Sequence, residues 1–221
     1  MRREDYILRL VTEFVRTLHR MAGLADDGRH LAALEAADHA ARQVTGAGLD
    51  DLLRVSVAEL AARLAFGERP EVARDRQVFL AALLHQSGAS LYALGEDEAA
   101  DAHTLTALEL QLDALVRYGA TGMPEYAPSV RRLVGAVGLY RLPIPLYAAL
   151  VAHYEASGAY ADAEDALHAL LDAAPDDRAA LELGIALYER LLARSDEELA
   201  AGDLSRAEVE EGLAELRARL A

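Results

Sequence analysis

Apolar residues recur three and four apart along almost the whole chain, the spacing that gathers side chains on one face of a 3.6-residue helix. From Arg3 to Met21 the stripe reads Tyr6, Ile7, Leu10, Val11, Phe14, Val15, Leu18 and Met21, and Gly23 is expected to end it. Gly28 precedes an alanine-rich helix through Val44. GAGLDD, followed by Ser56 with Glu59 three residues on, predicts a turn, a short helix and a capped restart to Phe66. Pro70 opens the longest helical stretch, which runs to Leu94. Beyond Pro175, Asp176 or Asp177 is placed to cap a helix carrying Leu181, Ile185, Leu187, Leu191, Leu192 and Leu199, and Ser205 with Glu208 forms a capping box for a last helix.

The clearest segment is LYAALVAHYEASGAYADAEDALHALLDAAP, from Leu146 to Pro175. Tyr147, Leu150, Val151 and Tyr154 make one apolar stripe. Gly158 is expected to turn the chain in the left-handed conformation that closes a helix, Tyr160 packs back, and Ala163 permits a close approach. Leu167, Leu170 and Leu171 continue the core face until Pro175 stops the helix. The order Tyr147, Tyr154, Gly158, Tyr160, Ala163, Leu167, Pro175 resembles the tetratricopeptide consensus, departing from it at Val151 and Leu170, where that family prefers small residues. The same relative spacing returns in Leu84, Gly88, Leu91, Gly95, Ala100 and Ala107, with weaker echoes around Gly28 and Gly202. The four turn glycines are unevenly spaced, whereas regular arrays of this kind repeat every ~34 residues. The expected fold class is therefore all-α, an irregular tetratricopeptide-like array of antiparallel helical hairpins, or α-solenoid. It is expected as a single continuous domain over residues 1–221. Its parts are N-terminal helices in 1–66, a first clear hairpin in 70–118, degenerate helices in 123–142 (with a further degenerate pair over 49–66), and two C-terminal hairpins in 145–221.

The segments REDYILRL, YEASGAYADAEDAL and LYERLLARSDEELAAGDLSRAEVEEGLAEL resemble a family of uncharacterised bacterial proteins, a domain of unknown function whose members resemble tetratricopeptide proteins in their second half. That resemblance implies the fold. It brings no activity, ligand or catalytic residue.

Charge and composition then exclude chemistry. The 221 residues carry 22 basic against 37 acidic side chains, a net charge of −15, which opposes binding to nucleic-acid phosphates. Every basic residue is Arg: the sequence contains no Lys, no Asn, no Cys and no Trp. Without lysine there is no phosphate-loop lysine, no kinase-type lysine and no Schiff base; without cysteine there is no thiol nucleophile, disulfide or thiolate metal site. Ser87 in HQSGAS lacks a GxSxG elbow and the strand before it, and GAGLDD lacks the third glycine of a dinucleotide fingerprint. Glu35 with His39, and Glu164 with His168, stand four apart on helix faces, but two ligands alone seldom hold a metal. No catalytic, cofactor or metal residue is assigned. MRREDYILRL has no uncharged core of a secretion signal and no run approaches the ~18 apolar residues of a membrane span, so a cytoplasmic protein is expected.

Binding remains as the expected role: a non-catalytic interaction scaffold that holds an unidentified protein or peptide. In tetratricopeptide arrays the first helix of each unit lines the groove, and that alignment implies groove positions Ala82, His85, Ala89 and Tyr92 in one unit and Pro145, Ala148, Ala152 and Glu155 in the other. An apolar or basic peptide suits the acidic balance. Two alternatives compete. One is an enzyme working on a small molecule or phosphate ester through Arg, His and carboxylates. The other uses the basic amphipathic helix 3–21, since over residues 2–20 Arg2, Arg3, Arg9, Arg16 and Arg20 outnumber Glu4, Asp5 and Glu13, to meet an anionic membrane or a second copy of the chain as a homodimer.

Overall fold

The computed structural model describes residues 3–220, with side chains from Arg9 onward. Tyr6 and Ile7 of the predicted stripe, and Arg2, Arg3, Glu4 and Asp5 of the basic segment, lie outside the described side chains. Among the described residues, twelve α-helices and one 3-10 turn make up the regular structure and there is no strand. The chain divides into two compact units, residues 1–137 and 138–221, where the sequence pattern suggested one continuous domain. Among the described residues, no helix is long and apolar enough to cross a membrane.

The first unit holds α1 (Arg3–Asp26), α2 (His30–Thr45), α3 (Leu49–Leu52), α4 (Val57–Ala65), α5 (Pro70–Ala93), α6 (Asp97–Tyr118) and α7 (Val130–Val137). The antiparallel pair α5–α6 is its centre: α1, α2 and α4 contact α5, and α4 and α7 contact α6. Phe14 of α1 stacks on Phe79 of α5 at 3.8 Å between ring centroids, with the ring of Tyr126 edge-on to both. Gly88 sets the approach of α5 to α6, because a Cβ there would lie 2.5 Å from Thr104 Oγ1 and 3.0 Å from the Ala100 carbonyl. Gly95, at φ +81°, makes the corner between them.

Two expectations fail in this unit. Helix α1 does not stop at Gly23 but continues to Asp26: a single glycine costs a helix only about 1 kcal/mol, and Met21 is buried with Leu24 half-buried across it. Residues 49–66, by contrast, hold the expected short helix and restart, the four-residue α3 and the nine-residue α4, the latter capped as predicted by Ser56 accepting from the Glu59 N–H. The 123–142 pair is not a pair. Residues 123–129 form turns around Pro124 and Pro128, which supply no N–H to a helix and bias the residue before them away from it, and only α7 and the 3-10 turn Leu139–Arg141 follow.

The second unit contains that 3-10 turn and α8 (Ile144–Ser157), α9 (Tyr160–Ala173), α10 (Arg178–Leu192), α11 (Asp196–Ala201) and α12 (Arg206–Leu220). Helices α8 and α9 form a hairpin with Gly158 at φ +76° as its corner, and Tyr147, Leu150, Val151, Tyr154, Tyr160, Ala163, Leu167, Leu170 and Leu171 are all buried, as their spacing predicts. Asp177 caps α10, whose partner is α12. The predicted run to Leu199 is broken: α10 ends at Leu192, and Leu199 belongs to α11, which restarts at a capping box between Ser195 and Glu198. Gly202 is not a left-handed corner, since its φ is −95° and Asp203 takes the positive φ instead. Its lack of a side chain serves contact: a Cβ there would lie 2.5 Å from the Tyr160 ring and 2.6 Å from the Gly158 carbonyl, and its own carbonyl accepts from the Ala161 N–H at 2.9 Å.

Candidate functional site

Helix α5 presents Ala82, His85, Gln86 and Ala89 at spacings of three and four, so one turn stacks over the next on a single face. That face is the floor of a cleft of about 840 Å³ in the first unit. Leu18, Met21 and Ala22 of α1 form one wall, and the turn segment 125–129 with Arg132 of α7 forms the other. Ser129 at the start of α7 accepts from the Arg132 N–H at 3.3 Å, which holds the rim in place.

The chemistry of this cleft is set by two orphaned atoms. His85 Nδ1 and Gln86 Oε1 are buried and have no hydrogen-bond partner within the protein. Burial, and secondarily the positive charge of Arg132, push the His85 pKa below its ordinary value, so the ring is neutral and offers one donor and one acceptor. A buried polar atom left unmatched costs about 1–3 kcal/mol, which a bound group with complementary donors would remove once the two side chains rotate these atoms towards it. Asp26 and Glu125 add acidic groups at the edge of the cleft.

The sequence-derived groove residues divide between the two units. Ala82, His85 and Ala89 converge on this cleft; Tyr92, one turn further along α5, is 71% exposed and does not line it. Pro145, Ala148 and Ala152 are exposed on α8 of the second unit, and the Glu155 carboxylate is held by Arg190 through two hydrogen bonds of 2.7 Å. Of the helix-face pairs, Glu164 accepts from the Tyr188 hydroxyl at 2.8 Å while His168 is exposed, and among the described residues no three His, Asp or Glu side chains could hold a metal ion.

Sequence spacing missed the polar content of the central hairpin. Gln77, Ser87, Ser90, His103, Thr104 and Gln111 are all buried between or beside α5 and α6. Gln77 donates to the Leu110 carbonyl at 2.9 Å and to Asp113 at 2.8 Å, while Ser87 and Thr104 donate back to carbonyls four residues earlier. The available signal was the placement of Thr104, Gln111 and His103 in phase with the apolar stripe of Ala100, Ala107 and Leu108.

A family model covers residues 1–221, the whole chain. The chain belongs to the family of unknown function DUF6483. No curated protein and no solved structure matches it. Membership therefore fixes kinship without bringing an activity, and the cleft on α5 is argued from its own residues.

Proposed function

We propose that this member of the family is a non-catalytic binding module, built on tetratricopeptide-like hairpins, that takes a segment of a protein partner in the cleft between α1, α5 and α7. The observation that carries the reading is the pair His85 Nδ1 and Gln86 Oε1. Gln86 Oε1 can only accept, and the neutral His85 ring can do either, so an extended backbone with alternating N–H and C=O groups matches both. Leu18, Met21, Ala22 and Ala89 supply apolar contact for one or two side chains of the segment. The net charge of −15 favours a segment with basic flanks, which long-range attraction would bring in faster at low salt.

Selection of a random-peptide display library against the full chain tests this. Enriched peptides should bind saturably and lose at least about tenfold in affinity on Ala89→Arg, a change at an exposed position that fills the cleft. An absence of enriched peptides, or peptides indifferent to Ala89→Arg, would reject the reading. A second reading, an enzyme acting on a phosphate ester, draws support from Arg132, His85 and the N-terminus of α7 meeting in the same cleft. Its signature would be turnover of p-nitrophenyl phosphate that disappears in Arg132→Gln.

A further inference from the structure

On the other side of α5 from Ala89, the chain forms a second cleft, of about 540 Å³, between α2, α3 and α6. Its polar lining comes from Glu35, Asp38, His39 and Arg42 of α2, Asp50 of α3 and His103 of α6. Leu34, Leu49 and Leu91 give it apolar walls. The volume lies within the range of small-molecule sites, roughly 300–1,000 Å³.

Most of these polar groups are already engaged. Asp38 accepts from Arg42 Nε at 2.8 Å with one oxygen and from the Leu49 N–H at 2.9 Å with the other. Burial acts to raise the Asp38 pKa, yet those two bonds outweigh it and hold the carboxyl below its ordinary value, so it is an anion already matched. His39 is bonded to Gln43 at 3.0 Å. What is left is the carboxylates of Glu35 and Asp50, neither of which forms an ion pair or hydrogen bond, and His103. That imidazole is 4% exposed and its Nδ1 has no partner within the protein. The one guanidinium lining the cleft, Arg42, is paired through its Nε with Asp38, so the lining carries three carboxylates against a single cation and disfavours an anion. No three metal-ligating side chains converge there either.

We infer that this cleft is a binding site for a small aliphatic amine or guanidine, its cationic head held by Glu35 and Asp50, its body against Leu34 and Leu91, and a polar group of the ligand bonded to His103. Glu35 and Asp50 are exposed, so their attraction for a cation is that of charges at a surface and is strongest at low ionic strength. His103, deep in the cleft, gives the site a hydrogen bond that an inorganic monovalent cation would leave unmade. The site is separate from the Ala89 cleft, so either assignment can fail without the other.

Isothermal titration calorimetry of the full chain with agmatine and with cadaverine tests the assignment, alongside succinate and sodium chloride of matched ionic strength. The expected result is saturable binding of at least one amine, weakened by about tenfold or more in Glu35→Gln and in Asp50→Asn. Both side chains are exposed and bond to nothing, so the melting midpoint of the free variants should stay that of the parent. The His103 ring resonances should shift on saturation. Neither amine binding at millimolar concentration, binding unchanged in both variants, or an equal response to sodium chloride would overturn the assignment. Saturable binding of manganese or zinc in place of the amines would overturn it too.

Discussion

Two glycines in mid-helix have opposite roles, and the difference is measurable. Gly88 sits where a methyl group would press on Thr104 and the Ala100 backbone, so Gly88→Ala should destabilise by about 1–3 kcal/mol through overpacking. Gly23 has nothing within 4 Å of a built Cβ and normal helical surroundings, so Gly23→Ala should stabilise by about 0.5–1 kcal/mol. Urea denaturation followed by circular dichroism would read both. The need for a small residue at 88 is visible in the repeat spacing, whereas the harmlessness of 23 is not, because a glycine after an apolar stripe looks the same whether the helix stops or continues. His103 gives a third prediction at this scale. Burial lowers its pKa from 6.5, so the folded protein holds it neutral while the unfolded chain takes up a proton near 6.5. Its contribution to stability is present above that value and is lost as pH falls towards the folded pKa, with a slope of at most about 1.4 kcal/mol per pH unit. Asp75 and Glu109, raised by burial, act with the opposite sign at lower pH. Comparing His103→Gln with the parent between neutral pH and the carboxylate range isolates the effect: the parent should lose more stability on acidification.

Helix boundaries follow from caps more than from periodicity. Ser56–Glu59 and Ser205–Glu208 are legible as starts: Ser205 and Glu208 exchange both bonds of a capping box, while Ser56 accepts from the Glu59 N–H and the Glu59 carboxylate turns to Arg63. Ser195–Glu198 has the same sequence form, but Leu191, Leu192 and Leu199 stay in helical phase across the break, so the apolar pattern hides the interruption that the cap encodes. Its hydrogen bonds are intact, at 2.9 Å from the Ser195 N–H to Glu198 and 3.2 Å in return. Ser195→Ala should therefore cost about 1 kcal/mol, and Ser195→Asp should recover most of it. An unchanged urea midpoint in Ser195→Ala would mean that α11 is held by Leu199 alone. The faces of α5 and α8 were readable because i, i+3, i+4 spacing fixes them locally. What stands opposite α5 was not, since α1 and residues 125–132 meet it only through contacts distant in sequence.

At the scale of the whole molecule, each unit has its own buried core, one centred on Phe79, Leu80, Leu83 and Leu108, the other on Tyr147, Leu167, Leu187 and Tyr188. A fragment of residues 138–221 should accordingly remain helical and unfold cooperatively in urea, whereas a cut between α5 and α6 should unfold the first unit. A 138–221 fragment without a cooperative transition would show that its core is insufficient by itself. The boundary at Val137–Gly138 lay within a stretch whose prolines marked irregularity but not separation. The contact of Gly202 with Gly158 and Tyr160 reaches beyond stability. Three positions more than forty residues apart at their extremes share one small volume, and the Gly158 carbonyl, being backbone, is not removed by any change at Tyr160: across homologues that keep this hairpin corner, position 202 should stay glycine whatever stands at 160.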